Sequence, residues 1–357
     1  MFPAKDALKA RHEDAPSSVQ ISPSTLPDNP TNMSSIGSQF QLKPTVKPKV
    51  PFGQAELDAD ANALHEAMKG LGTNEEAIIT ILANRTNGQR LLIADRFESL
   101  FGKKLVVELK KELGGSFEDV ILGCMMSLDR YFAQELHDAM DGLGTREDAL
   151  IEILCTLNND WLKLIKRTYK DMFGRDLEFD IKRDTELYFE KLLLALLDVE
   201  RDESVVVDIE KVVTDVEALY AAGEAVVGTN EEIFIEILTK RSFAHLQVLF
   251  REYKNKYGTP FYKVIEKEFK GDTEKALVTM VRCYEDTSDY FAWQLHKAME
   301  GVGTNNRALI RTVVTRSEFD MGNIKEAYAK KYEKPLIKAI EDDCSGDFKR
   351  MLIALID

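Results

Sequence analysis

The sequence predicts an all-α protein of four repeats with five short helices each. Three observations carry that prediction. From Gln54 onward apolar residues fall at three- and four-residue spacing, strand-like alternation bounded by turns is absent, and one glycine loop returns four times. Proline also nearly vanishes beyond Pro51, leaving only Pro260 and Pro335, as a chain of continuous helices requires.

Residues 1–51 hold eight of the ten prolines, many serines and threonines and few large apolar side chains. They read as a disordered N-terminal tail. Phe2 to Ala10 has the spacing of a short amphipathic helix, but an unstructured start is the preferred reading.

The first repeat is drawn over 54–128. Leu57, Ala61, Leu64 and Met68 mark its first helix, the glycine loop follows, and Ile78, Ile79, Ile81 and Leu82 mark the second. Thr73 and Glu76 have the form of a capping box, repeated by Thr229 and Glu232 and approximated by Thr145 and Asp148. Leu91, Leu92, Phe97 and Leu100 give a third helix ending at Phe101-Gly102. A fourth runs from Lys103 to Leu113 and a fifth from Val120 to Met126. The break returns as Phe173-Gly174 and Tyr257-Gly258, with Tyr332-Glu333 in the last unit. The second repeat is drawn over 129–200, a linker with the third over 201–287, and the fourth over 288–357. The long interval between the second and third loops contains Asp198 to Asp215, read as a connection between two halves in a two-plus-two arrangement.

A formal net charge of -14 argues against nucleic acid, whose phosphates would be repelled. The same charge repels an anionic membrane unless a cation intervenes. Cys124, Cys155, Cys283 and Cys344 are far apart and no secretory signal is evident, so a reduced, cytoplasmic protein is expected. The longest apolar run, Leu192 to Leu197, is far below the roughly 18 residues of a spanning helix. Any membrane contact is then peripheral.

The repeated stretch is Met68-Lys69-Gly70-Leu71-Gly72-Thr73, followed by Met140-Asp141-Gly142-Leu143-Gly144-Thr145, Glu224-Ala225-Val226-Val227-Gly228-Thr229 and Met299-Glu300-Gly301-Val302-Gly303-Thr304. Forty residues beyond each second glycine stands an acid: Glu112, Asp184, Glu268 and Asp343. With 61 acids among 357 residues, four hits at one spacing are not coincidence. Glycines flanking one residue let consecutive carbonyls turn inward. Those oxygens with one bidentate carboxylate suit Ca²⁺, which takes about six to eight hard oxygen ligands, with water or a phosphate oxygen completing the shell. Leu71, Leu143, Val227 and Val302 are apolar where a solvated turn is normally polar, which suits contact with a bilayer. Capping explains part of the glycine-threonine pattern but not the distant acid. Glu75, Glu147 and Glu231 are weaker candidates for secondary cation sites. Asp58-Ala59-Asp60-Ala61-Asn62 opens like an EF-hand, yet Ala63 and Lys69 occupy positions that need glycine and glutamate.

Four helical units of about 70 residues, each with this loop and its distant acid, closely resemble the annexin family over residues 54–357. The resemblance implies a curved disc of four five-helix repeats that binds acidic phospholipids peripherally through Ca²⁺. By position it implies ligand sets of Met68, Gly70 and Gly72 with Glu112; Met140, Gly142 and Gly144 with Asp184; Gly223, Val226 and Gly228 with Glu268; and Met299, Gly301 and Gly303 with Asp343. It also implies an arginine thirteen residues after each second glycine, in the polar middle of the molecule. Arg85, Arg241 and Arg316 match, but the second repeat has Leu157, which weighs against an ion-conducting role.

The expected function is therefore Ca²⁺-dependent peripheral binding to acidic phospholipid membranes, without catalysis. Of the five histidines, His65, His137 and His296 hold repeat-equivalent positions rather than a convergent triad, and no nucleophile elbow, phosphate loop or zinc signature is found. The alternative is a scaffold for cytoskeletal or other proteins acting through the tail. Self-association on membranes and export without a signal peptide are compatible with either.

Overall fold

The computed structural model describes residues 41–70, 72–142 and 144–357. Residues 1–40, with the Phe2 to Ala10 stretch, lie outside them, as do Leu71 and Leu143. The described residues form twenty helices and no strand. The first repeat comprises α1 (Gln54–Ala67), α2 (Glu75–Leu82), α3 (Asn87–Phe101), α4 (Leu105–Glu112) and α5 (Gly115–Cys124). The second comprises α6 (Leu128–Met140), α7 (Glu147–Thr156), α8 (Asn159–Phe173), α9 (Leu177–Asp184) and α10 (Leu187–Leu197). In the third are α11 (Ile209–Ala222), α12 (Glu231–Lys240), α13 (Phe243–Tyr257), α14 (Phe261–Glu268) and α15 (Gly271–Glu285). In the fourth are α16 (Thr287–Met299), α17 (Asn306–Arg316), α18 (Met321–Tyr332), α19 (Leu336–Asp343) and α20 (Gly346–Ile356).

In every repeat the first helix packs on the third. An aromatic column fixes that contact. His65 stacks on Phe101 at 4.0 Å, His137 on Phe173 at 3.9 Å, Tyr220 on Tyr257 at 3.9 Å and His296 on Tyr332 at 3.9 Å. The repeat-equivalent histidines are thus packing residues. The third helix then stops in a left-handed residue, Gly102, Gly174, Gly258 or Glu333. The glycines meet no steric penalty there, while Glu333 does.

The repeats pair first with fourth and second with third. Helix α5 packs on α17 and α20, and α2 on α20; α10 packs on α12 and α15, and α7 on α15. The two pairs use the same reciprocal set of helices. Halves divided at the connection between the second and third repeats are therefore not the packing units. This burial on several sides explains why Ile78, Ile79, Ile81 and Leu82 of α2 are all buried.

The capping acids serve these pairings. Helix α2 starts after Asn74, whose side chain accepts from Ala77 N–H at 3.1 Å, and α17 after Asn305, which accepts from Ala308 N–H at 3.1 Å. Glu76 instead accepts from Arg350 of α20 at 2.5 Å, and Glu232 from Lys191 of α10 at 2.7 Å. The expected threonine boxes are not formed: the N-cap is the residue after each threonine, Asn74 with a side-chain cap bond, Arg146 and Asn230 without one.

Two connecting segments depart from the sequence reading. Residues 41–51, drawn as disordered tail, lie on the core: Val46 is buried, Thr45 and Val46 donate backbone N–H to Ser317 O, and Lys43 pairs with Glu326 at 2.6 Å. Main-chain bonding to the fourth repeat compensates for the low apolar content. The connection between α10 and α11 covers 198–208, since Ile209 already begins a helix. It is pinned by Arg201, whose guanidinium lies 4.8 Å from the Phe243 ring centroid and donates to Arg241 O at 2.8 Å.

The thirteenth-residue arginines pair inside their own repeats. Arg85 Nε donates to Asp60 at 2.7 Å, Arg241 Nε to Asp215 at 2.6 Å, and Arg316 pairs with Asp320 while lying 4.4 Å from the Phe291 ring centroid. At Leu157 the matching acid position holds Phe132, so both partners of the ion pair are replaced by apolar side chains, both buried. That double exchange leaves no uncompensated charge. The polar contact between the second and fourth repeats is instead Arg311 with Glu135 (3.1 Å) and Glu152 (2.5 Å), joined by Arg307 with Glu135 and Asp138.

Candidate cation and membrane site

Each glycine loop is closed by one backbone hydrogen bond from the residue after the threonine to the alanine near the end of the preceding helix. Asn74 N donates to Ala67 O at 2.8 Å, Arg146 N to Ala139 O at 2.9 Å, Asn230 N to Ala222 O at 2.8 Å and Asn305 N to Ala298 O at 2.7 Å. The third loop spans one residue more than the others between these bonded partners. Inside the closure Gly70 and Gly72, Gly142 and Gly144, Gly228, and Gly301 and Gly303 have φ between 85° and 118°. That region is open to glycine and strained for side-chain-bearing residues. Among the described residues no donor reaches the carbonyls of these seven glycines.

Met68 follows α1 with φ -103° and ψ 9°, whereas Met140 and Met299 are the last residues of α6 and α16. The acids occupy one equivalent place: Glu112, Asp184, Glu268 and Asp343 each end an eight-residue helix. A carboxylate there sits at the negative end of the helix dipole, so local helix stability does not account for it. A cation would relieve the repulsion.

The loop threonines bring acid and loop together, a role that the capping pattern concealed. Thr73 Oγ1 donates to Glu112 Oε2 at 3.2 Å, Thr229 Oγ1 to Glu268 Oε2 at 2.7 Å and Thr304 Oγ1 to Asp343 Oδ2 at 2.6 Å. In the second repeat Thr145 reaches the backbone oxygen of Asp184 at 3.1 Å instead. The Asp184 carboxylate there accepts two bonds from Arg183, at 3.0 and 3.1 Å. The signal in the sequence is the threonine itself, present in all four loops.

The third loop differs in construction. Gly223 is buried with φ -126°, and its carbonyl accepts from Val226 N at 3.0 Å. A Cβ on Gly223 would stand 3.1 Å from Phe234 and 3.4 Å from the Glu268 side chain, so glycine lets the acid lie directly against the loop. Lys267 lies 3.4 Å from Glu224 and 3.8 Å from Glu268. Beyond the site, Val227 and Val302 are fully exposed and Val226 is 54% exposed.

The donor set fits a hard cation with oxygen ligands. It offers free carbonyls and one carboxylate per loop, and among the described residues no three His, Cys, Asp or Glu side chains cluster as a softer or more highly charged metal would need. Two of the weaker acids are engaged elsewhere: Glu231 lies at Tyr188, and Glu147 lies near Lys275. The four cysteines are buried and free. Among the described residues no helix is long and apolar enough to cross a membrane.

The family profile described as Annexin matches residues 59–124, 131–196, 214–280 and 290–355. Human annexin A13 is 44% identical over 301 residues, which cover 84% of this chain and 95% of that protein. Among solved structures, annexin III superposes with a TM-score of 0.85 at 37% identity, covering 88% of this chain and 97% of that one. Calcium-bound annexin (Sm)1 superposes with a TM-score of 0.80 at 34% identity, covering 90% and 98%. Four matched repeats, a shared fold and a near full-length relative establish that this chain belongs to the annexin family.

Proposed function

We propose that the four glycine loops hold Ca²⁺ between the protein and acidic phospholipid headgroups. Calcium-dependent phospholipid binding comes with annexin membership in general; the assignment to these residues is the further step. The ligand sets are Met68, Gly70, Gly72 and Glu112; Met140, Gly142, Gly144 and Asp184; Gly223, Val226, Gly228 and Glu268; and Met299, Gly301, Gly303 and Asp343. The observation that carries the reading is the fourfold meeting of glycine carbonyls, unpaired among the described residues, with a carboxylate at a helix C-terminus, joined through a threonine hydroxyl or its backbone contact. One carboxylate neutralises only part of the ion's charge, so a lipid phosphate is favoured as a further ligand. Val227 and Val302 project from the loops without protein contacts to lose, which supports their entry into the interfacial region.

The calcium bound in annexin (Sm)1 supports the same ion here. No catalytic role is assigned; His65, His137 and His296 are engaged in packing. Replacing Glu112, Asp184, Glu268 and Asp343 together by alanine tests the reading. The unmodified chain should sediment with phosphatidylserine vesicles in Ca²⁺ and be released by chelator, and the fourfold variant should stay in solution with its helical content intact. Equal sedimentation of the two would refute the assignment.

A further inference from the structure

The fifth helix of each repeat starts three residues after the acid, and its first residue is left-handed in all four. Three of these are glycines, Gly115 (φ 59°), Gly271 (φ 67°) and Gly346 (φ 61°), where a Cβ would meet nothing within 4 Å. The fourth is Leu187, with φ 55° and 77% of its surface exposed. Neither backbone nor packing favours leucine at this place. A left-handed conformation is unfavourable for any residue with a Cβ, and an exposed leucine side chain gains nothing from burial. Strain combined with exposure marks residues retained for contact with something outside the fold.

The surroundings identify that contact. Leu187 follows Asp184 by three residues, and the Asp184 backbone oxygen accepts from the second loop's Thr145. On its other side Tyr188 interacts with Glu231, and Lys191 pairs with Glu232 at 2.7 Å, both at the start of the helix behind the third loop. The leucine therefore stands between the second and third candidate cation sites. We infer that Leu187 is a second apolar anchor, entering the lipid surface beside the second loop independently of the loop tips. The inference rests on the membrane reading of those loops. The partner is a phospholipid bilayer: the leucine is a highly exposed apolar side chain bordered by candidate cation sites.

The full chain is compared with Leu187→Gly by sedimentation on vesicles of phosphatidylserine in phosphatidylcholine at saturating Ca²⁺. The glycine variant should need about fivefold more lipid for half-maximal binding and should melt at a higher temperature, because the strain is removed. A purely structural residue would move the two measurements in the same direction. In a second arm Leu187→Cys is labelled with a polarity-sensitive fluorophore, the four native cysteines being buried. Its emission should shift to the blue on vesicles with Ca²⁺ and return with chelator. Unchanged lipid demand in Leu187→Gly, or a label that stays in water while the protein sediments, overturns the anchor alone. Failure of the unmodified chain to sediment overturns the membrane reading and the anchor with it.

Discussion

The second repeat offers a direct test of how a neighbouring charge sets calcium demand. Arg183 holds both oxygens of Asp184, at 3.0 and 3.1 Å, and among the described residues the other three acids have no such fork. A cation taking that carboxylate must displace the guanidinium. An exposed ion pair contributes about 0.2–1 kcal/mol, and two-point geometry places this one near the upper end. At about 1.4 kcal/mol per tenfold, Arg183→Ala should tighten the second site roughly fivefold. The core should tolerate the change, because buried Asp180, which Arg183 also approaches at 3.2 Å, keeps Arg175 at 2.8 Å and the Tyr169 hydroxyl at 2.5 Å. The assay uses a chain carrying Glu112→Ala, Glu268→Ala and Asp343→Ala, so that only the second site remains, and follows vesicle sedimentation against Ca²⁺. Arg183→Ala should lower the half-maximal Ca²⁺ concentration, with Arg183→Lys between it and the parent. An unchanged or higher Ca²⁺ requirement would refute the competition between guanidinium and ion.

Other outcomes follow from the buried charges and backbone. Arg311→Ala removes a partner from Glu135 and Glu152, both under a tenth exposed, and should cost about 3 kcal/mol in urea unfolding. Glu333→Gly relieves the left-handed φ of 51° and should stabilise by about 1 kcal/mol, read as a raised melting midpoint. Burial holds His245 below the ordinary histidine range, although Asp215 at 2.9 Å pulls the other way. Its unfolded form then binds a proton more readily, so stability should be flat above about pH 6.5 and fall as pH drops below it. His245→Gln should remove that component from the pH dependence of the urea midpoint.

Helix content is legible in the sequence because periodic apolar positions and glycine stops are local signals, and the five-helix repeat follows from Ile78 to Leu82, Phe101-Gly102 and their equivalents. The acid forty residues after each loop is legible as a spacing. The threonines mislead because a hydroxyl followed three residues later by an acid looks the same whether the hydroxyl caps a helix or reaches a distant carboxylate. Pairing of the repeats is hidden for another reason. Apolar faces on α2, α5, α17 and α20 do not name their partners, and Glu76 carries no local sign of Arg350, which lies 274 residues away. The strap at 41–51 is concealed by its prolines and polar residues, since its attachment is largely main-chain bonding to Ser317 and α18.

Residues kept for the fold differ from residues kept for a ligand in how their departures are compensated. Where the fold alone is served, compensation is present: Leu157 comes with Phe132, and Arg316 finds Asp320 when Phe291 holds the usual acid position. At the loops it is missing. Four acids stand at unfavourable helix ends, seven glycine carbonyls lack donors among the described residues, and Val227, Val302 and Leu187 are left in water. Each feature is unfavourable or neutral for the protein alone, and on the proposed reading each would become favourable with a cation beneath a lipid surface. Stability selects against such a set when the features occur singly. The fourfold recurrence of acid and glycine loop makes an external ligand a simpler cause than folding.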